Sequence, residues 1–207
     1  MEDVLDQYEQ DHNPMRPLVC FDEWLIQLIE EKRMGLPPEP GRARRYDYEY
    51  RRHGVRNMNI FFEPLCARRF IKITEQHTMQ DFAHCMKWLV DELYPQAELI
   101  RLILDNLKTH KPAALYVTFP PSEALRILKK LEFHYTPKHG SWLNMAEIEL
   151  SVYSRSLPKH IPHEEGLLME AQGLTAERNH KDATVDWQFR TTNARIKLKR
   201  LYPSISH

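Results

Sequence analysis

The sequence has no apolar run long enough to cross a bilayer, which excludes a helical membrane span. Its opening, MEDVLDQYEQDHNP, is acidic and lacks an apolar stretch, so it is not a secretory signal. Cysteine is scarce. Cys20, Cys66 and Cys85 are odd in number, widely spaced, and form no Cys-x-x-Cys pair. A reduced, cytoplasmic setting follows. There is no glycine-rich phosphate loop, no internal repeat and no low-complexity tract. Ser141 and Cys20 lack the sequence context of a catalytic nucleophile. His160-x-x-His163 lies between prolines with no thiol nearby, which argues against zinc there.

What remains is 207 residues, enough for one domain with a real core. The net charge of +0 hides a strong asymmetry. Residues 1–31 are acidic, with Arg16 as their one base, while 32–72 are strongly basic. From Arg190 onward there are bases and no acids. Local patches steer a polyanion even when the total is neutral, so DNA is admitted as a partner. Solvated charged faces would give the same pattern.

The chain reads as strands first and helix-connected strands later. Leu18–Trp24 alternates, with Leu18, Cys20, Asp22 and Trp24 on one face and Val19, Phe21 and Glu23 on the other. Residues 33–56, rich in Pro, Gly and Arg, read as a long connection. Strands are predicted at Asn57–Glu63 and Arg69–Thr74, joined by a short turn and hence antiparallel. Met79, Phe82, Ala83, Met86, Leu89, Val90 and Leu93 recur at helical spacing after a Thr78/Asp81 cap. A buried strand, Leu99–Leu104, follows, then a helix over 122–131 and a strand over 131–136. After the loop PKHGSWLN, a helix is expected from Asn144 to about Leu157, and the remainder reads as helical and polar. The fold class is α/β, a mixed central sheet flanked by helices. The expected division is an acidic lead-in over 1–17, a core over 18–157, and a helical, basic extension over 158–207 that packs on the core.

Three acids stand out in that layout. Asp22 lies near the end of the first strand, Asp105 ends the later buried strand, and Glu147 lies in the first turn of a helix. Clustered carboxylates repel and need a cation, and hard oxygen donors suit Mg²⁺ or Mn²⁺. Two such ions would assist cleavage of a phosphodiester. Each acid also has an ordinary reading. Asp22 and Asp105 could form turns, and Glu147 could complete a cap begun by Asn144. Residue spacing leaves both readings open.

"LVCFDE", "DYEYRRHG", "LILDNLKTH" and "EFHYTPKHGSWLNMAEIELSV" resemble the catalytic domain of mariner-related bacterial insertion-sequence transposases, the DDE superfamily endonucleases. "TVDWQFRTTNARIKLKRLYP" is similar to the same group. The resemblance runs from about Leu18 to Pro203 and is most specific between Asp105 and Val152.

It implies a ribonuclease-H-like fold and Mg²⁺- or Mn²⁺-dependent cleavage and joining of DNA strands, with two ions. On that basis Asp22, Asp105 and Glu147 are the catalytic, metal-holding residues. Glu149 is a bystander on another side of the helix, and its change to Gln is expected to do little. Asn106 and His110 shape the site or meet phosphate, and Lys138 and His139 are placed to touch DNA. Arg42, Arg44, Arg45, Arg195, Lys197 and Lys199 are further candidates for phosphate contacts. No organic cofactor is expected. Relatives often carry Lys where Trp24 follows "DE", and complete relatives carry helix-turn-helix segments upstream. The resemblance therefore implies DNA specificity from an upstream DNA-binding partner or the other product of a split reading frame. It admits a homodimer, and it implies a bacterial, nucleoid-associated location. The alternative is a silent or domesticated remnant that binds DNA or protein without cutting.

Overall fold

The computed structural model describes residues 1–32 and 49–201. Among them, β1 (Leu18–Glu31), β2 (Tyr50–Glu63), β3 (Arg68–Thr74), β4 (Ile100–Leu104) and β5 (Leu131–Tyr135) form one sheet, ordered β3-β2-β1-β4-β5. β1 and β2 are antiparallel, as are β2 and β3, while β4 joins β1 and β5 joins β4 in parallel. Connection length explains the change of sense. A single 3₁₀ turn, Pro64–Cys66, links β2 to β3, whereas helices carry the chain into β4 and β5. This order and these senses are ribonuclease-H-like, as the resemblance implies.

The helices are α1 (Glu2–Tyr8), α2 (Met79–Trp88), α3 (Ala113–Thr118), α4 (Pro121–Leu128), α5 (Met145–Ser156), α6 (Glu164–His180) and α7 (Thr191–Lys197). Strand alternation sorts the core into two layers. Val19, Phe21, Phe61, Leu102 and Leu104 meet α2, α3 and α4. Leu18, Cys20, Ile60, Phe62 and Ile103 meet α1, α5 and α6. The Thr78/Asp81 pair closes a full capping box on α2.

Several elements differ from expectation. β1 continues to Glu31, so Asp22 is mid-strand, not near its end. Trp24, Ile26 and Leu28 keep to the same face, and no turn residue interrupts them. β2 begins at Tyr50, inside the stretch read as a connection. Its first half is mostly exposed, so it carries no buried-face periodicity to read. Gly54, at φ 101°, sits where the β1–β2 register shifts between Gln27 and Ile29, the place of a bulge. α1 was not foreseen, yet Val4 and Leu5 are fully buried. Seven residues are too few to display a helical period convincingly.

Candidate active site

β1 and β4 run side by side with Cys20 opposite Ile103. Two residues further along, Asp22 comes beside Asp105. β4 stops at Leu104, so Asp105 is the first residue off its carboxyl end. Asp22 is held within β1 by pairing with Ile60 of β2. Side chains alternate, and Cys20 and Ile103 both face the α5 layer. Asp22 therefore projects to that side, with Asp105 beside it just beyond the end of β4.

α5 arrives at the same place because Asn144 has two attachments. Its Oδ1 accepts the backbone N–H of Ala146 at 3.2 Å, capping the helix. Its Nδ2 donates to the carbonyl of Phe21 at 2.8 Å, the residue before Asp22. The first turn of α5 is thereby pinned against β1. Tyr8 of α1 adds a second brace, donating to the Leu143 carbonyl at 2.7 Å and receiving the Met145 N–H at 3.3 Å. The cap uses Asn144 rather than Glu147, which stays exposed in the first turn. Ala146, Leu150, Tyr153 and Leu157 form the buried stripe.

The electrostatics register the convergence. The carboxyl of Asp22 is pushed up to about 7, first by burial and then by the charges of Asp105 and Glu147. The Glu23 N–H, 2.8 Å from Asp22 Oδ1, and His110 act in the opposite direction. His110 is 1% exposed, packed between Phe21 and Phe82, with Nδ1 2.5 Å from Asp105 Oδ1. Burial disfavours charge on its ring, but Asp105 and Glu23 outweigh it and lift the ring to about 9. His110 thus faces carboxylates rather than solvent.

Among the described residues, only His12, Glu63 and Cys66 form a trio of donor atoms all within 4.8 Å of one another. Asp22, Asp105 and Glu147 stand further apart than that. Three carboxylates with one histidine cation beside them form a hard-oxygen set with excess negative charge, which fits a divalent cation such as Mg²⁺.

The family model for DDE superfamily endonuclease matches residues 17–166. The chain belongs to the DDE superfamily endonucleases. Among solved structures, it is similar to the crystal structure of the Mos1 strand transfer complex, with a TM-score of 0.55 at 14% identity. That likeness covers 86% of this chain and 54% of the other, so this family member spans about half the length of the neighbour. No curated protein matches the sequence. No helix among the described residues is long and apolar enough to cross a membrane.

The other predicted residues divide. Asn106, Lys138 and His139 are exposed and, with Asp105, Leu107, Thr136, Pro137 and Ser141, line a cleft of about 430 Å³. Asn106 also accepts a hydrogen bond from Lys111. Lys197 and Lys199 are exposed, whereas Arg195 makes a bidentate pair with Glu2 at 2.8 Å. Arg42, Arg44 and Arg45 lie outside the described residues. Trp24 packs partly buried on the α5 layer.

Glu149 requires a correction. It is 0% exposed and bonds both Arg69 and Arg178, the latter through two bonds of 2.9 and 2.8 Å. It ties α5 to β3 and α6, so neutralising it cannot be inconsequential. Asn144, Tyr8 and Glu23 were missed as parts of the site. Only Asn144 had left a signal, as the residue preceding the helix.

Proposed function

We propose that this chain is the catalytic part of a transposase that cuts DNA and joins the freed 3′ ends to new positions. The observation carrying this reading is the convergence of Asp22, Asp105 and Glu147, where burial first, and then the charges of the other two acids, pushes the Asp22 carboxyl up to about 7. An acid that resists ionising beside two others is poised to accept a cation. In this reading the three acids hold two Mg²⁺ or Mn²⁺ ions. Bound there, those ions would polarise the phosphodiester and favour the attacking oxygen.

The chain's own residues supply the positioning. Strand pairing fixes Asp22 and Asp105, and Asn144 fixes the turn bearing Glu147. His110 orients Asp105, which would help to hold a cation, through Oδ1. In the first reaction a water oxygen bonds to phosphorus and the 3′ oxygen leaves, taking a proton. In the second, that 3′-hydroxyl attacks a phosphodiester of the target strand, and a target oxygen leaves. Lys138 and His139, exposed along the neighbouring cleft, serve as phosphate contacts that position DNA without reading its sequence. Lys197 and Lys199 extend that role. We take 18–157 as the catalytic core, 158–207 as an extension packed on it, and 1–17 as a lead-in. Its place of action is the bacterial nucleoid.

The test is nicking of supercoiled plasmid by the purified chain, with and without Mg²⁺ or Mn²⁺. Nicking that needs metal, and that disappears in Asp105→Asn and Glu147→Gln, supports the reading. Binding without metal-dependent nicking would favour a silent DNA-binding module instead. DNA binding should fall steeply with salt and show little sequence preference.

A further inference from the structure

A second cluster of donors lies away from the acids. His12 follows α1, Glu63 ends β2, and Cys66 closes the 3₁₀ turn after it. Glu63 is three residues beyond Ile60, the partner of Asp22, or roughly 10 Å along the strand. Nε2 of His12 is 3.1 Å from Oε1 of Glu63, and a donor atom of each residue lies within 4.8 Å of Cys66 Sγ. The edges of a tetrahedron about Zn²⁺ are about 3.3–3.8 Å for bonds of about 2.0–2.3 Å.

Glu63 supplies a second, independent reason. It is 4% exposed, and among the described residues its only ion pair is with His12. A buried carboxylate whose one ion pair is with a histidine, and on which Arg101 acts only from beyond ion-pair distance, is stabilised by a cation bound beside it. Its Oε2 accepts the Tyr94 hydroxyl at 2.7 Å, which turns Oε1 toward His12 and Cys66. Outer partners orient metal-bound carboxylates in this manner. The His12 side chain is 39% exposed, so an ion has a path from solvent.

We propose that His12, Glu63 and Cys66 form a zinc site that clamps the segment after α1 onto the turn between β2 and β3. Nitrogen, oxygen and thiolate sulfur together select Zn²⁺ over Mg²⁺, and water completes the tetrahedron. On binding, the Cys66 thiol gives its proton to solvent and the His12–Glu63 hydrogen bond is replaced by two bonds to the metal. The site is separate from the acid cluster.

The full chain, stripped with EDTA and kept reduced, is titrated with Co²⁺ as an optical probe. One equivalent should produce sulfur-to-cobalt absorption in the near ultraviolet, and one equivalent of Zn²⁺ should abolish it while excess Mg²⁺ does not. Carboxylate ligands give no such band, so Asp105→Asn should keep it. Cys66→Ser and Cys66→Ala should lose it, with circular dichroism verifying the fold, and His12→Ala should weaken Zn²⁺ binding at least tenfold. Tyr94→Phe should retain the band with Zn²⁺ bound about tenfold more weakly. The site is refuted by absence of the band, by its survival in Cys66→Ala, or by undiminished Zn²⁺ affinity in His12→Ala.

Discussion

Glu147 and Glu149 are two residues apart on α5, yet one is exposed beside two aspartates and the other is buried between two arginines. Around Glu149, charge is balanced by the protein itself. Arg69 is also 0% exposed, lies 4.7 Å over the Phe62 ring, and donates to the Ala67 carbonyl. Arg178 from α6 completes the neutralisation. Around Glu147, charge is left in excess, with His110 the cation beside Asp105. The contrast separates two uses of a carboxylate. One locks three elements together, and the other stands exposed near two further acids.

The sharpest way to break the comparison is to neutralise one acid on each side. Asp105→Asn should reduce metal-dependent nicking by about 10²-fold or more, by analogy with the loss of one preorganised electrostatic group. Its stability to urea in EDTA should change less than that of Glu149→Gln, because relief of repulsion with Asp22 and Glu147 offsets loss of the His110 pair. Glu149→Gln should behave in the opposite way. Removing one partner of a buried ion pair costs about 3–5 kcal/mol, which urea unfolding will read. Nicking per folded molecule should persist. A stable, inactive Glu149→Gln protein beside an active Glu147→Gln protein would reverse the assignment of the third acid.

Asn144→Ala tests what joins the two regions. Loss of the cap should cost about 1 kcal/mol in unfolding experiments. The larger consequence is for activity, because the tie to the Phe21 carbonyl is lost and Glu147 is no longer held against β1. Nicking should fall well beyond what the stability change explains, and equal losses in both would demote Asn144 to a simple cap.

A pH dependence tests the acid side of the comparison directly. The folded chain keeps protons on Asp22 up to about 7 and on His110 up to about 9. An unfolded chain releases them near about 3.9 and about 6.5. More protons are bound when folded in both windows, so each group makes stability fall as pH rises through its window. Measured in EDTA, the wild type should lose stability relative to Asp22→Asn between about pH 4 and pH 7. Parallel curves for the two proteins would mean that Asp22 is not held neutral.

Much of the fold was legible where one face of an element is buried. Residues 18–24 alternate, and so assign themselves to two layers. The α2 stripe with its Thr78/Asp81 cap was equally plain. The first half of β2 was not, because an exposed ribbon rich in arginine buries too little to impose a period. α1 escaped for its brevity. At the site, Asp22, Asp105 and Glu147 could be named from motif resemblance. The ordinary readings of the same residues were not separable by spacing alone.

By itself, the sequence determined the order of the five strands and of α2, α4 and α5, the faces of β1 and α5, and the candidate acids, because periodicity and turn chemistry are local properties. Only the tertiary structure decided which acid stands near which. Pairing of β1 with β4 brought Asp22 to Asp105, and Asn144 brought Glu147 to both. It also decided that Glu149, chemically identical to Glu147, meets Arg69 and Arg178. A carboxylate's role depends on the charges and solvent around it, and those are set by contacts between residues distant in sequence.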